Sequence, residues 1–440
     1  MNDAIFISHD IHVVSGKNNG YAPLKRGCLE RISHMMNMKS ICFHVSMYLL
    51  LSCHGQQHTT VDTPSAAPIT GAEQTELYLP LLQGKRVAVV ANQTTTIGAT
   101  HLVDSLIARG IRVVKVFAPE HGFRGEAGAG EHIADGKDAK TGLPLVSLYG
   151  KNKKPSPQMI EDVDAIVFDI QDVGARFYTY ISTMHYVIEA AAEKRIEVVI
   201  LDRPNPNGHY IDGPVLDLAY KSFVGMHPIP IVHGLTVGEL AQMIVGEHWI
   251  EAFNGQEAML HVIPCKHYDH TTRYHLPIRP SPNLATQRAI YLYPSLCWFE
   301  GTIVSVGRGT AAPFEIIGFP GNTVGDFHFT PKDIPQVAMD PPHEGVECTG
   351  LNLSLMPLEE LAYADSIRVD WLVELHRSYS GQKPFFQSPD FFDKLCGTDR
   401  IRKMVEEGAS AEAIRKSWAD ELHAYKVMRA KYLLYADFEQ

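Results

Sequence analysis

Four polar clusters carry most of the side chains in this sequence that could do chemistry: Asn92-Gln93, Pro119-Glu120-His121, Asp169-Ile170-Gln171-Asp172 and Asp202-Arg203-Pro204-Asn205. Arg176, Tyr178 and Tyr180 follow closely behind the third. Several carboxylates beside arginine, tyrosine and asparagine suit carbohydrate chemistry. Breaking a glycosidic bond needs a protonated acid at the leaving oxygen and a second group to stabilise an oxocarbenium-like transition state, and Asp or Glu can fill both roles. Other chemistries lack their signatures. The glycines of Gly125 to Gly130 (GEAGAG) have the wrong spacing for a dinucleotide loop, and no Walker, H-E-x-x-H or G-x-S-x-G motif occurs. The seven cysteines contain no C-x-x-C pair, so neither a zinc ribbon nor a thioredoxin-type motif is indicated, and no metal or cofactor is expected.

The elements that must position these clusters are short β-branched runs. Residues 86–92 (RVAVVAN), 112–118 (RVVKVFA), 164–170 (DAIVFDI) and 197–201 (EVVIL) read as strands. Helical stretches separate them, one carrying Leu102, Leu106 and Ile107, another running from about Ser182 to Lys194. Such alternation predicts an α/β fold with a Rossmann-like, mostly parallel sheet buried on both faces. Each polar cluster lies where one of these strands ends. Ligands of open α/β sheets bind outside the carboxyl ends of the strands, so the four clusters are expected to converge on one site. The competing reading is that they simply begin loops. Further on, Thr236-Val-Gly-Glu239 has capping-box spacing and predicts a helix with Leu240, Met243 and Ile244 on one face. Glu239 therefore reads as a cap. His233, just before it, fits loop packing and ligand contact equally.

Composition narrows the partners. With 39 Lys and Arg against 50 Asp and Glu, the formal charge is −11, and no basic run of five occurs, so nucleic acid is not an expected partner. The apolar run Ile41 to Leu51 is about half the ~20 residues that span a bilayer. It reads as the h-region of a signal peptide, with Lys39 as its positive flank, and Leu50-Leu51-Ser52-Cys53 resembles a lipobox that would place a lipid on Cys53. A buried strand or helix end is the alternative. Residues 1–53 are accordingly expected to be a spurious extension plus lipoprotein signal, and 54–76, poor in large apolar groups, a flexible tether. The mature protein would sit in the cell envelope, in the periplasm, held to the membrane through the lipid.

Longer stretches resemble the exo-β-N-acetylmuramidases of peptidoglycan turnover, long known as a domain of unknown function. They are Pro119-Glu-His-Gly-Phe-Arg-Gly125, residues 168–180 (FDIQDVGARFYTY), residues 201–207 (LDRPNPN), Pro280-Ser-Pro-Asn283, and Phe299-Glu-Gly-Thr302 with Gly307-Arg-Gly-Thr310. The C-terminal stretch 397–435 looks similar too. The resemblance implies a Rossmann-like domain, a smaller α/β domain after it, and an active-site cleft between them, here divided as 77–285 and 286–440. It also implies removal of β-1,4-linked N-acetylmuramic acid from the non-reducing end of peptidoglycan fragments, with peptidoglycan saccharides as partners. The family's proposed catalytic glutamate falls on Glu120. Ile303 departs from the family's usual Asn. We expect Glu120 and Asp169 to be catalytic, and His121, Gln171, Asp172, Arg176, Tyr178, Asp202, Arg203, Asn205 and Arg308 to bind substrate. Arg308, with Arg176 and Arg203 as rivals, is the expected partner of the lactyl carboxylate, because a guanidinium fork matches a carboxylate. The competing function is a lipid-anchored protein that captures such sugars without turnover.

Overall fold

In the computed structural model, which describes residues 66–124, 136–250, 258–335 and 337–439, strand β1 (Arg86–Ala91) alternates between two apolar layers. Val87, Val89 and Ala91 pack with Tyr78, Leu82, Leu102 and Leu106 on one face of the sheet. Ala88 and Val90 face the other layer with Met184, Ile188 and Leu240. Burial on both faces explains why the strand reads as a continuous apolar run.

Six more strands complete this sheet: β2 (Arg112–Ala118), β3 (Gly136–Lys137), β4 (Pro144–Ser147), β5 (Ala165–Asp169), β6 (Glu197–Leu201) and β7 (Leu260–Ile263), in the order β3-β4-β2-β1-β5-β6-β7. All neighbours pair in parallel except the edge strand β3, which is antiparallel to β4. The chain winds outward from β1 through β2 and β4, then restarts on the other side of β1 at β5. The strand order therefore reverses between β1 and β5, where a ligand crevice opens in such sheets.

Helices Leu102–Ala108 and Tyr180–Lys194 occupy the expected places, although Ile107 is largely exposed while Leu102 and Leu106 are buried. The capping box is formed: the Thr236 side chain accepts from the Glu239 amide, and the Glu239 carboxylate accepts from the Thr236 amide at 2.8 Å. Glu239 also meets His270 Nε2 at 3.0 Å, so it closes the helix start and pins a neighbouring loop.

The smaller C-terminal part begins with helix Gln287–Leu296 and the turn Cys297–Gly301. It holds a three-stranded antiparallel sheet, β8 (Ile316–Phe319), β10 (Cys348–Asn352) and β9 (Phe327–Phe329), together with helices that include Val369–Ser378 and Pro389–Cys396. One apolar cluster runs from Ile166 and Phe168 through Trp298 to Leu372 and Phe392, so the described residues of the two parts share one core.

The tether expected over 54–76 is corrected at its end. Ile69 bridges to Lys266, the Gly71 amide donates to the Asp202 carbonyl at 2.8 Å, and Ala72 is buried. The Glu73 carboxylate accepts from the Thr70 amide at 2.7 Å, a capping box that starts ordered structure ahead of helix Thr75–Leu82. Cys53 and the apolar run before it lie outside the described residues.

Candidate active site

A cavity of about 500 Å³ opens beside the carboxyl ends of the central strands, in the size range of small-molecule sites. Glu120 reaches it because β2 ends at Ala118 and a tight turn follows, closed by the Gly122 amide donating to the Pro119 carbonyl at 3.1 Å. His121 holds φ at 69° in that turn, a conformation a residue with a Cβ adopts only under constraint from its surroundings. Thr179, the residue before helix Tyr180–Lys194, donates its hydroxyl to Glu120 Oε2 at 2.7 Å. The Tyr149 hydroxyl also bonds to this carboxylate; burial and then the Glu120 charge push that phenol's pKa up. Glu120 is thus held by hydroxyl donors. Tyr178 stands next to it in the lining, edge-on to Tyr180 and Tyr293 with ring centroids 4.8 and 5.8 Å apart.

The C-terminal part supplies the rest of the wall. Glu300 comes from the turn Cys297–Gly301, and its carboxylate accepts from Arg308 Nε. Arg308 lies between Gly307 and Gly309, whose φ values of 79° and 78° make a bend where side chains would be strained. A Cβ on Gly309 would also meet the Lys332 carbonyl oxygen at 2.5 Å. This bend sets the guanidinium over Phe314, 5.1 Å from its ring centroid. Burial works against the Arg308 charge, but Glu300 outweighs it and raises the guanidinium's pKa. Among the described residues no protein acceptor bonds the two terminal nitrogens of Arg308.

Comparison with known proteins puts this architecture in a family. Residues 87–288 match the N-terminal model of the exo-β-N-acetylmuramidase NamZ, and residues 291–435 match its C-terminal model. The chain belongs to the NamZ family. It is 39% identical over 375 residues to the peptidoglycan β-N-acetylmuramidase NamZ of Bacillus subtilis (strain 168), covering 81% of this chain and 89% of the relative. Among solved structures it is similar to two proteins of the DUF1343 family from Bacteroides fragilis. One has 47% sequence identity and a TM-score of 0.78, covering 84% of this chain and 100% of that one. The other has 28% identity and a TM-score of 0.69, covering 84% of this chain and 99% of that one.

Within this NamZ-family chain the four strand-end clusters do not all converge. Glu120, His121, Tyr178 and Arg308 line the cavity. Asp169 does not: it is fully buried, and its two oxygens accept from Arg203 Nε at 2.6 Å and Nη2 at 2.9 Å. Arg203 is thereby occupied as well. Asp202 is enclosed by donors, taking the Gly238 amide at 2.8 Å, the Thr236 hydroxyl at 2.7 Å and the Tyr435 hydroxyl at 2.5 Å. Arg176, the other rival for a carboxylate ligand, donates instead to the carbonyls of Pro214, Ile229 and Leu395. Burial lowers its pKa to about 10, and its task is to tie the C-terminal helices to the sheet domain. Gln171 spans the Asp172 and Pro204 carbonyls, and Asn205 bonds the Leu235 carbonyl and the Asn207 amide. Asp172 accepts from the Gly174 amide at 2.7 Å behind the lining, and burial raises its pKa to about 7. His233 accepts from the Leu235 amide away from the cavity, which resolves it as a loop-packing residue. Glu300 is the site acid that strand-end reasoning missed. Among the described residues no group of three or more His, Cys, Asp or Glu is placed to share a metal ion.

Proposed function

We propose that this chain is an exo-acting glycoside hydrolase that removes β-1,4-linked N-acetylmuramic acid from the non-reducing end of peptidoglycan fragments, with Glu120 as the acid. The observation that carries this is the placement of Glu120: a carboxyl at a strand end beside the topological switch, facing a sugar-sized cavity and held by Thr179 and Tyr149. A carboxyl so placed protonates the glycosidic oxygen as the bond to the anomeric carbon breaks. Arg308 distinguishes muramic acid from glucosamine. Its Nε is tied to Glu300, so its terminal nitrogens present a fixed fork to the lactyl carboxylate. His121 and Tyr178 complete the sugar's surroundings.

The chain acts, in this proposal, in the periplasmic cell envelope, anchored through a lipid on Cys53. The support is the Leu50-Leu51-Ser52-Cys53 ending of the apolar run. Incubation with the disaccharide of N-acetylmuramic acid β-1,4-linked to N-acetylglucosamine tests the enzymatic reading. Free N-acetylmuramic acid is expected. Saturable binding of the disaccharide without release of the monosaccharide would establish a capture protein instead.

A further inference from the structure

A glycosidase that works through two carboxyl groups needs both at the sugar, and the expected partner of Glu120, Asp169, is spent on Arg203. Among the described residues lining the cavity, Glu120 and Glu300 are the carboxyl groups, one from each part of the chain. Their partners differ in kind. Glu120 is met by the neutral hydroxyls of Thr179 and Tyr149, Glu300 by the Arg308 guanidinium. Each contact orients its carboxyl at the cavity wall, the hydroxyls holding Glu120 and the guanidinium holding Glu300. The support beneath Glu300 is rigid. A Cβ on Gly301 would lie 2.6 Å from Phe392 Cβ and 2.8 Å from its backbone, so the turn bearing Glu300 is seated directly on helix Pro389–Cys396.

We propose that Glu300 is the second catalytic carboxylate, the nucleophile that attacks the anomeric carbon while Glu120 protonates the leaving oxygen. This rests on the glycosidase reading above. In the first step a Glu300 oxygen bonds to C1 from the α face. The bond from C1 to the leaving oxygen breaks, its electron pair stays on that oxygen, and the Glu120 proton neutralises it. In the second step the Glu120 carboxylate takes a proton from water, and the water oxygen bonds to C1 from the β face. The bond between C1 and Glu300 breaks, returning its electron pair to the carboxylate, so the sugar leaves with its β configuration retained. Pairing with Arg308 suits a nucleophile, which must also depart in the second step.

The test uses 4-nitrophenyl N-acetyl-β-muramide, with proton NMR to identify the anomer formed first. The parent enzyme should release the β anomer first. Glu300→Ala should lose about 10³-fold or more in kcat, as removal of a nucleophile does. Azide should restore its turnover and give the α-glycosyl azide. Glu300→Gly serves equally should the alanine variant not fold, and the parent's product anomer bears on the proposal whether either variant folds or not. An α anomer formed first, variant turnover within about ten-fold of the parent, or a loss that azide leaves unrepaired each overturns the assignment, the last by transferring the attack to the substrate's own acetamido oxygen. Failure of the parent to hydrolyse any muramide is a separate outcome that removes the glycosidase reading itself.

Discussion

Asp169→Asn separates a buried structural ion pair from a catalytic acid. Asp169 ends β5 and Arg203 follows β6, and the two meet through hydrogen bonds of 2.6 and 2.9 Å with both side chains almost wholly enclosed. Burial pushes the Asp169 carboxyl up against the pull of Arg203; on Arg203 burial is outweighed by the carboxylate, which raises the guanidinium. With both bonds this short, we take the pair as ionised. The substitution keeps the shape, removes the negative charge and turns an NH2 toward a guanidinium. Breaking one side of a buried pair costs about 3–5 kcal/mol, because the remaining charge is left without compensation. For a unit of this size, taking about 2 °C per kcal/mol, the melting temperature should fall by roughly 6–10 °C. Replacing both partners, as Asp169→Asn with Arg203→Met, should recover part of that loss, since no unpaired charge remains. Urea unfolding followed beside kcat and KM on a muramide substrate decides the matter. We expect a lower midpoint, with kcat per folded molecule within a few fold of the parent. Unchanged stability with a collapse of kcat would refute this and return Asp169 to the chemistry.

Three further outcomes follow. Replacing Arg308 by Met should lower the ratio of kcat/KM for muramic acid over glucosamine substrates by roughly 10- to 150-fold, equivalent to about 1.5–3 kcal/mol for a charged hydrogen-bonded contact; an unchanged ratio would show that the lactyl carboxylate is read elsewhere. Burial raises Asp172 to about 7 and Asp202 to about 6 from an ordinary 3.8, so the folded chain keeps protons that the unfolded chain has released, and their contribution to stability is fullest in acid and declines as pH rises to about 7. Asp172→Asn should therefore flatten the fall of the urea midpoint between about pH 5 and about pH 7, and identical slopes would contradict that origin. Cys53→Ala should abolish partitioning with membrane lipids; unaltered association, or mature protein beginning at Met1, would remove the anchor.

The central strands were legible because runs of five to seven residues rich in Val and Ile, and mostly buried, leave a strong apolar signal. Strands β3, β4 and β7, with two to four residues each, carry no period long enough to read. Glu120 could be found as the acid at the end of a central strand. Asp169 and Arg203 fit the same rule, yet β5 and β6 are adjacent, and parallel neighbours lie only about 4.8 Å apart. Opposite charges just beyond such ends meet each other before they meet a ligand. Glu300 escaped because it sits on a short turn with no strand end to mark it; the available sign was an acid beside Gly301 and an arginine between Gly307 and Gly309 in one segment. Thr70-x-x-Glu73 likewise announced ordered structure within a stretch whose composition reads as a tether.

The most direct test of the account compares Glu120→Gln with the parent on the muramyl-glucosamine disaccharide. Gln keeps the size and can still accept from Thr179, but it has no proton to deliver to the leaving oxygen. We predict that release of N-acetylmuramic acid slows by about two to four orders of magnitude, the usual contribution of a general acid, with disaccharide affinity and melting temperature little changed. A folded Glu120→Gln protein that hydrolyses the disaccharide within a few fold of the parent would contradict the assignment of Glu120 and the mechanism built on it.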